Sequence, residues 1–83
     1  MFEVNFFDDA DRLILNLPNP IEIQKVFGNL DTSNAAALTM DLMMNHMTFM
    51  LNGVEYQFRE SKNQNLTTNP TFSINYRPRG LGK

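Results

Sequence analysis

The stretch TMDLMMNHMTFMLNG, residues 39–53, gathers the softest donors of the chain: Met40, Met43, Met44, Met47, Met50 and the only histidine, His46. Thioethers and an imidazole suit Cu(I), which favours polarisable ligands. That chemistry requires the sulfurs to converge. On a helix, Met40, Met43, Met44 and Met47 partly converge with His46. On a strand, Met43 and Met44 point to opposite faces and the set disperses. Methionine also fills irregular gaps in cores and interfaces, and we expect neither a metal nor a cofactor. A histidine base would need a nucleophile and an orienting group. Ser33, Ser61 and Ser73 lie in no G-x-S-x-G context, and no Walker A, dinucleotide-binding or HExxH motif occurs. The expectation is a protein that is not an enzyme.

Two charged clusters complete the candidate chemistry. Asp8, Asp9 and Asp11 share one loop but lack the spacing and distal glutamate of an EF-hand. They read as a turn that favours aspartate, and as the acidic contact for a basic partner. Tyr76, Arg77, Arg79 and Lys83 combine an aromatic with cations, the ingredients of single-stranded nucleic-acid binding. So few charges supply little affinity at physiological salt. Residues 1–55 hold eight acids and two bases, and residues 56–83 hold one acid and five bases, for a net charge of −2. The acidic part opposes a polyanion and suits a basic protein.

The elements that must position these residues start with a hairpin. FEVNF and RLILNL alternate around the loop Asp8-Asp9-Ala10-Asp11, which would pair Phe6 with Leu13, Val4 with Leu15 and Phe2 with Leu17. A short helix over 20–28 follows. Asn19 is its N-cap, Pro20 its first residue, Glu22 a capping-box partner and Gly28 its left-handed stop. Ile23, Val26, Phe27 and Leu30 form its apolar face.

Asn52-Gly53 is a strong type I′ hairpin signal and pairs Leu51 with Val54, Phe49 with Tyr56 and Met47 with Phe58. A second turn at Asn45-His46 extends the same face to Leu38, Met40, Leu42 and Met44. We therefore read 37–44 as a strand, with a helix as the alternative favoured by the propensity of AAALTMDLMM. On the strand reading Met40, Met44 and Met47 are core. Residues 60–70 read as a long loop. In TFSINYR, Phe72, Ile74 and Tyr76 face one way and Ser73, Asn75 and Arg77 the other.

The expected fold is thus α+β: an antiparallel sheet or small barrel of about six strands with one short helix, in the order β-β-α-β-β-β-β. A single domain would span 1–77, with a flexible basic tail at 78–83. One short helix cannot cover so much apolar sheet, so either the sheet closes or two chains pack as a homodimer. Met43, Met50, Ile14 and Phe7, on the outer face, are the candidate interface.

The chain has no cysteine, and disulfide and thiolate-metal chemistry is excluded. With no apolar leader or membrane-length segment, a cytoplasmic setting is expected. The functional expectation is a small protein–protein interaction module, self-associating through a sheet face or edge. By analogy of size and style it resembles the accessory or inhibitor proteins that phages encode. The alternative is a small nucleic-acid-binding domain using the sheet and the basic arm Tyr76, Arg77, Arg79 and Lys83.

Overall fold

A computed structural model describes residues 2–64 and 71–80, with side chains described for 2–59 and 72–80. The elements are β1 (Phe2–Phe7), β2 (Leu13–Leu17), α1 (Pro20–Phe27), α2 (Ala35–Asn45), β3 (Thr48–Leu51), β4 (Val54–Gln64) and β5 (Thr71–Pro78). The fold is α+β, as expected, but the sheet has five strands in the order β2-β1-β5-β4-β3 and is mixed. All neighbours are antiparallel except β1 and β5, which run parallel with Val4 opposite Ile74 and Phe6 opposite Tyr76. Each flank is a local unit: the β1–β2 hairpin and the β3-β4-β5 meander. The parallel central pair joins them, and the two helices make the crossing from β2 to β3.

Local chemistry explains each helix. At α1, Asn19 is extended and its side chain accepts the Glu22 N–H, Pro20 occupies the first turn, and Gly28 closes the end at φ 96°. Residues 37–44, expected as a strand, lie in a helix, Ala35–Asn45. Asn34 caps it by accepting the Ala37 N–H, three alanines follow, and Leu38 and Leu42 fall one turn apart toward the core. The turn expected at Asn45-His46 is instead the helix C-terminus, where the His46 N–H donates to the Leu42 carbonyl.

The Asn52-Gly53 turn forms as expected, with φ of 52° and 81°, and it sets Leu51 opposite Val54 and Phe49 opposite Tyr56. In the first hairpin the register is displaced by two residues, with Val4 opposite Leu17 and Phe6 opposite Leu15, and Leu13, expected opposite Phe6 on the apolar face, lies exposed opposite Phe7. The Asp8 carboxylate accepts the N–H groups of Ala10 and Arg12, and the Asp8 N–H donates to the Arg12 carbonyl. The loop is therefore longer than four residues, and a bulge beyond Phe6 absorbs the difference. Residues 60–64, expected as loop, continue β4. Their backbone pairs with β5, from Glu60 opposite Asn75 to Gln64 opposite Thr71, so polar side chains do not prevent the strand. Residues 65–70 of that expected loop lie outside the described residues. The expected tail begins inside structure, since β5 includes Pro78 and the Arg79 N–H donates to the Glu55 carbonyl.

Both helices cover the same sheet face. The core there joins Val4, Phe6, Leu17, Ile74, Tyr76 and Tyr56 to Ile23, Phe27, Leu38 and Leu42. The rings of Phe6 and Tyr76 stack at 4.9 Å across the parallel junction, and Phe27 of α1 reaches Phe49 at 4.5 Å. Tyr76 is fully buried, and its hydroxyl donates to the His46 carbonyl at 2.7 Å. Burial pushes this phenol above the ordinary tyrosine range.

The opposite face is polar yet closely packed. The Asn16 amide donates to Asn5, Asn5 donates to Asn75, and the Ser73 hydroxyl donates to Glu3. Asn5, Ser73 and Asn75 are buried, and among the described residues every buried side-chain nitrogen and oxygen has a hydrogen-bond partner.

Tyr76→Phe keeps the ring and removes the hydroxyl tether. It should cost about 1–2 kcal/mol, measured as a lowered denaturant midpoint with an unchanged slope. An unchanged midpoint would remove the tether from the account of stability.

Candidate functional site

The candidate site is α2 itself. Only Leu38 and Leu42 of this helix are buried. The remaining large side chains face away from the core. Met40 is 59% exposed and Met44 73%, and Met43 and Met47 are also exposed. Met40, Met44 and Met47, expected in the core as strand residues, are therefore at the surface. For Met40 and Met44 the reason is periodicity: a strand places 40, 42 and 44 together, whereas a helix puts 38 and 42 on one side and 40, 43 and 44 on another; Met47 lies in the link between α2 and β3.

A shallow, open groove of about 490 Å³ runs beside this helix, lined by Ala36, Ala37, Met40, Met44, Asn45 and the carboxylates of Asp31 and Asp41. The Asp41 carboxylate accepts the Asp31 N–H at 2.8 Å and the Asn45 amide at 2.7 Å. These bonds, the first above all, hold its pKa below the usual value of 3.8, with His46 adding to the effect. Asp31 in turn accepts the N–H and hydroxyl of Ser33. The loop before α2 is thus fastened to the helix by the Asp41 carboxylate and braced within itself by Asp31, and Ala36 and Ala37 line the groove.

The interface set expected from the sequence is not brought together. Ile14 and Met50 are exposed on the outer sheet face, but on the edge strands β2 and β3. Four strand spacings, about 19 Å, separate those edges. Phe7 is half-buried beneath the Arg77 guanidinium, which lies 4.5 Å from its ring centroid. Met43 belongs to α2 rather than to the sheet.

Of the acidic loop, Asp8 binds its own turn and Arg12, and the Arg12 N–H foremost lowers its pKa. Asp11 accepts Arg77 Nε at 2.9 Å, and Asp9 is exposed. Of the basic arm, Tyr76 lies in the core, Arg77 and Arg79 pair with Asp11 and Glu55, and Lys83 lies outside the described residues. No stacking platform is presented by Tyr76.

Among the described residues, no group of three His, Cys, Asp or Glu side chains is placed to hold a metal. The thioethers of Met40, Met43 and Met44 share a helix side, but the His46 ring packs edge-on against Phe27 at 5.4 Å. Among the described residues no helix is long and apolar enough to cross a membrane. The methionine surface is the feature that sequence reasoning displaced; the signal that could have found it was the Asn34 cap ahead of three alanines.

No protein-family model, curated protein or solved structure gives a significant match to the chain.

Asp8 and Asp41 both have lowered folded pKa values. Their stabilisation is present above the unfolded value and is lost as pH falls through the folded one. Stability should hold from about pH 7 to 5 and decline below about pH 4. Asp41→Asn should lower stability at neutral pH and converge on the unsubstituted protein in acid, as denaturation at each pH would measure. Equal losses at both pH values would contradict the assignment.

Proposed function

We propose that this chain is a non-enzymatic protein–protein interaction module and that its docking surface is the exposed methionine side of α2. The observation that carries this reading is the exposure of Met40 and Met44 beside an open groove. Unbranched, polarisable side chains adapt to different partner shapes, and surfaces built from them favour protein docking. Burying one such side chain stabilises a complex by about 2 kcal/mol. A small accessory or inhibitor protein works in this way, by occupying a partner.

Self-association is the second reading. The edge strands β2 and β3 offer Leu13, Ile14 and Met50 as exposed apolar side chains, and an uncovered edge can template another strand. The dimer inferred from an uncovered core face loses its original motive, because two helices occupy that face. The nucleic-acid reading is weaker, because Tyr76 is buried and Arg77 and Arg79 have carboxylate partners.

Met40→Lys/Met44→Lys changes exposed positions and should leave folding intact. Proteins recovered from the native cell on the immobilised chain should bind the double variant at least about 2 kcal/mol more weakly, roughly thirtyfold in Kd. Undiminished binding would move the docking surface away from α2. Sedimentation at the mass of one chain would support a different protein as partner; two chain masses, abolished by the same substitutions, would assign the surface to a second copy.

A further inference from the structure

The methionine groove carries an electrostatic preference. Asp31 and Asp41 lie in its lining with Met40 and Met44. Asp41 is held ionised by the Asp31 N–H and the Asn45 amide. The C-terminal end of α2 adds partial negative charge next to Met44 and Asn45, and no basic residue occupies its last turn. Residues 26–58 contain no lysine or arginine at all, although three acids, Asp31, Asp41 and Glu55, fall within them. The described cations are engaged elsewhere: Lys25 with Glu22, Arg12 with Asp8, Arg77 with Asp11, Arg79 with Glu55, and Arg59 with the Gln57 amide oxygen.

An apolar strip flanked by carboxylates that, among the described residues, pair with no lysine or arginine selects among occupants. A second copy docking through the same surface would bring two acidic patches together with no lysine or arginine of residues 26–58 between them, since a two-fold contact uses the same patch on both sides. An acidic or purely apolar segment would leave the charge of Asp31 and Asp41 unanswered. We propose that the groove accepts an amphipathic helical segment of another protein, with apolar side chains on Met40 and Met44 and lysine or arginine facing Asp31, Asp41 and the C-terminus of α2. This rests on the reading of α2 as a docking surface and adds the chemistry of the partner. The groove side of an 11-residue helix is about 16 Å long, enough for three successive anchors spaced at i, i+3 or i+4 and i+7.

The test uses two synthetic helical peptides of equal length and apolar face, one of leucine and lysine, the other of leucine and glutamate. Each is titrated into the isotope-labelled full chain, and backbone amide shifts identify the site. The expected result is perturbation centred on residues 31–45 by the lysine peptide, with affinity at least about tenfold higher than for the glutamate peptide at low salt and the gap narrowing as salt rises. Met44→Lys, at a position 73% exposed, should narrow or reverse that ratio.

Equal affinities of both peptides at residues 31–45 would overturn the charge preference while leaving the docking surface standing. Failure of both peptides to perturb α2 would overturn the docking surface itself. Perturbation by the lysine peptide confined to other acidic residues, such as the Asp8–Asp11 loop, would overturn the assignment of the site.

Discussion

The parallel contact between β1 and β5 is the constraint on which the rest of the molecule depends. Each flank is made by short-range connections, and the Phe6–Tyr76 stack joins their apolar faces into one core across the junction. The same tyrosine then reaches the His46 carbonyl and fastens the end of α2 to the sheet. On the far face, Asn5 and Asn75 pair amide to amide at the same register, and Glu3 and Ser73 pair beside them. Aromatic stacking on one side and hydrogen bonding on the other fix one alignment of the two strands. A slip by one residue would exchange rings for amides. Because buried amides require partners, the polar row penalises misalignment as well as rewarding the native pairing.

This central fastening leaves α2 free to present its outer side. The helix meets the core through Leu38 and Leu42, and its C-terminus is held through Tyr76. Nothing in that attachment uses Met40, Met43 or Met44. The carboxylate of Asp41 ties the preceding loop to the helix while remaining at the groove. One side chain therefore shapes the surface and supplies part of its charge. The acidic Asp8–Asp11 loop works differently, since two of its carboxylates are directed to Arg12 and Arg77. Position in the sequence does not separate these two acidic groups; their partners do.

How much was legible in the sequence differs by element, and the differences are physical. The α1 boundaries followed from Asn19, Pro20 and Gly28, because capping is local chemistry. The Asn52-Gly53 hairpin followed for the same reason. The inner and outer faces of β1 and β5 were readable from alternation. The register of the first hairpin was not, because a displacement of two residues keeps Val4, Phe6, Leu15 and Leu17 on one face, and only the Asp8 turn sets the count. Residues 37–44 read as a strand because a turn at Asn45-His46 would extend the apolar face set by the Asn52-Gly53 hairpin, outweighing the helix propensity that the Asn34 cap supports. The parallel pairing of β1 with β5 left no local trace, since each strand's pattern is the same whichever neighbour it finds. The candidate surface was misread for the same reason as α2: whether Met40 and Met44 are core or surface depends wholly on the period assigned to them.

The separation of the two central strands along the chain has a consequence for synthesis. Asn5 and Asn75 bond across seventy positions, so β1 is made early and waits for β5. Until residue 76 has emerged from the ribosome, Phe6 lacks its stacking partner across the central junction and the His46 carbonyl lacks the Tyr76 hydroxyl. The β1–β2 hairpin leaves the ribosome with its apolar side uncovered and one edge of β1 unpaired. A closure this non-local is slow compared with helix or hairpin formation, and unpaired strand edges are prone to aberrant association meanwhile. The architecture thus ties closure of the sheet to synthesis of its fifth strand, with the exposure of β1 lasting until that strand is available.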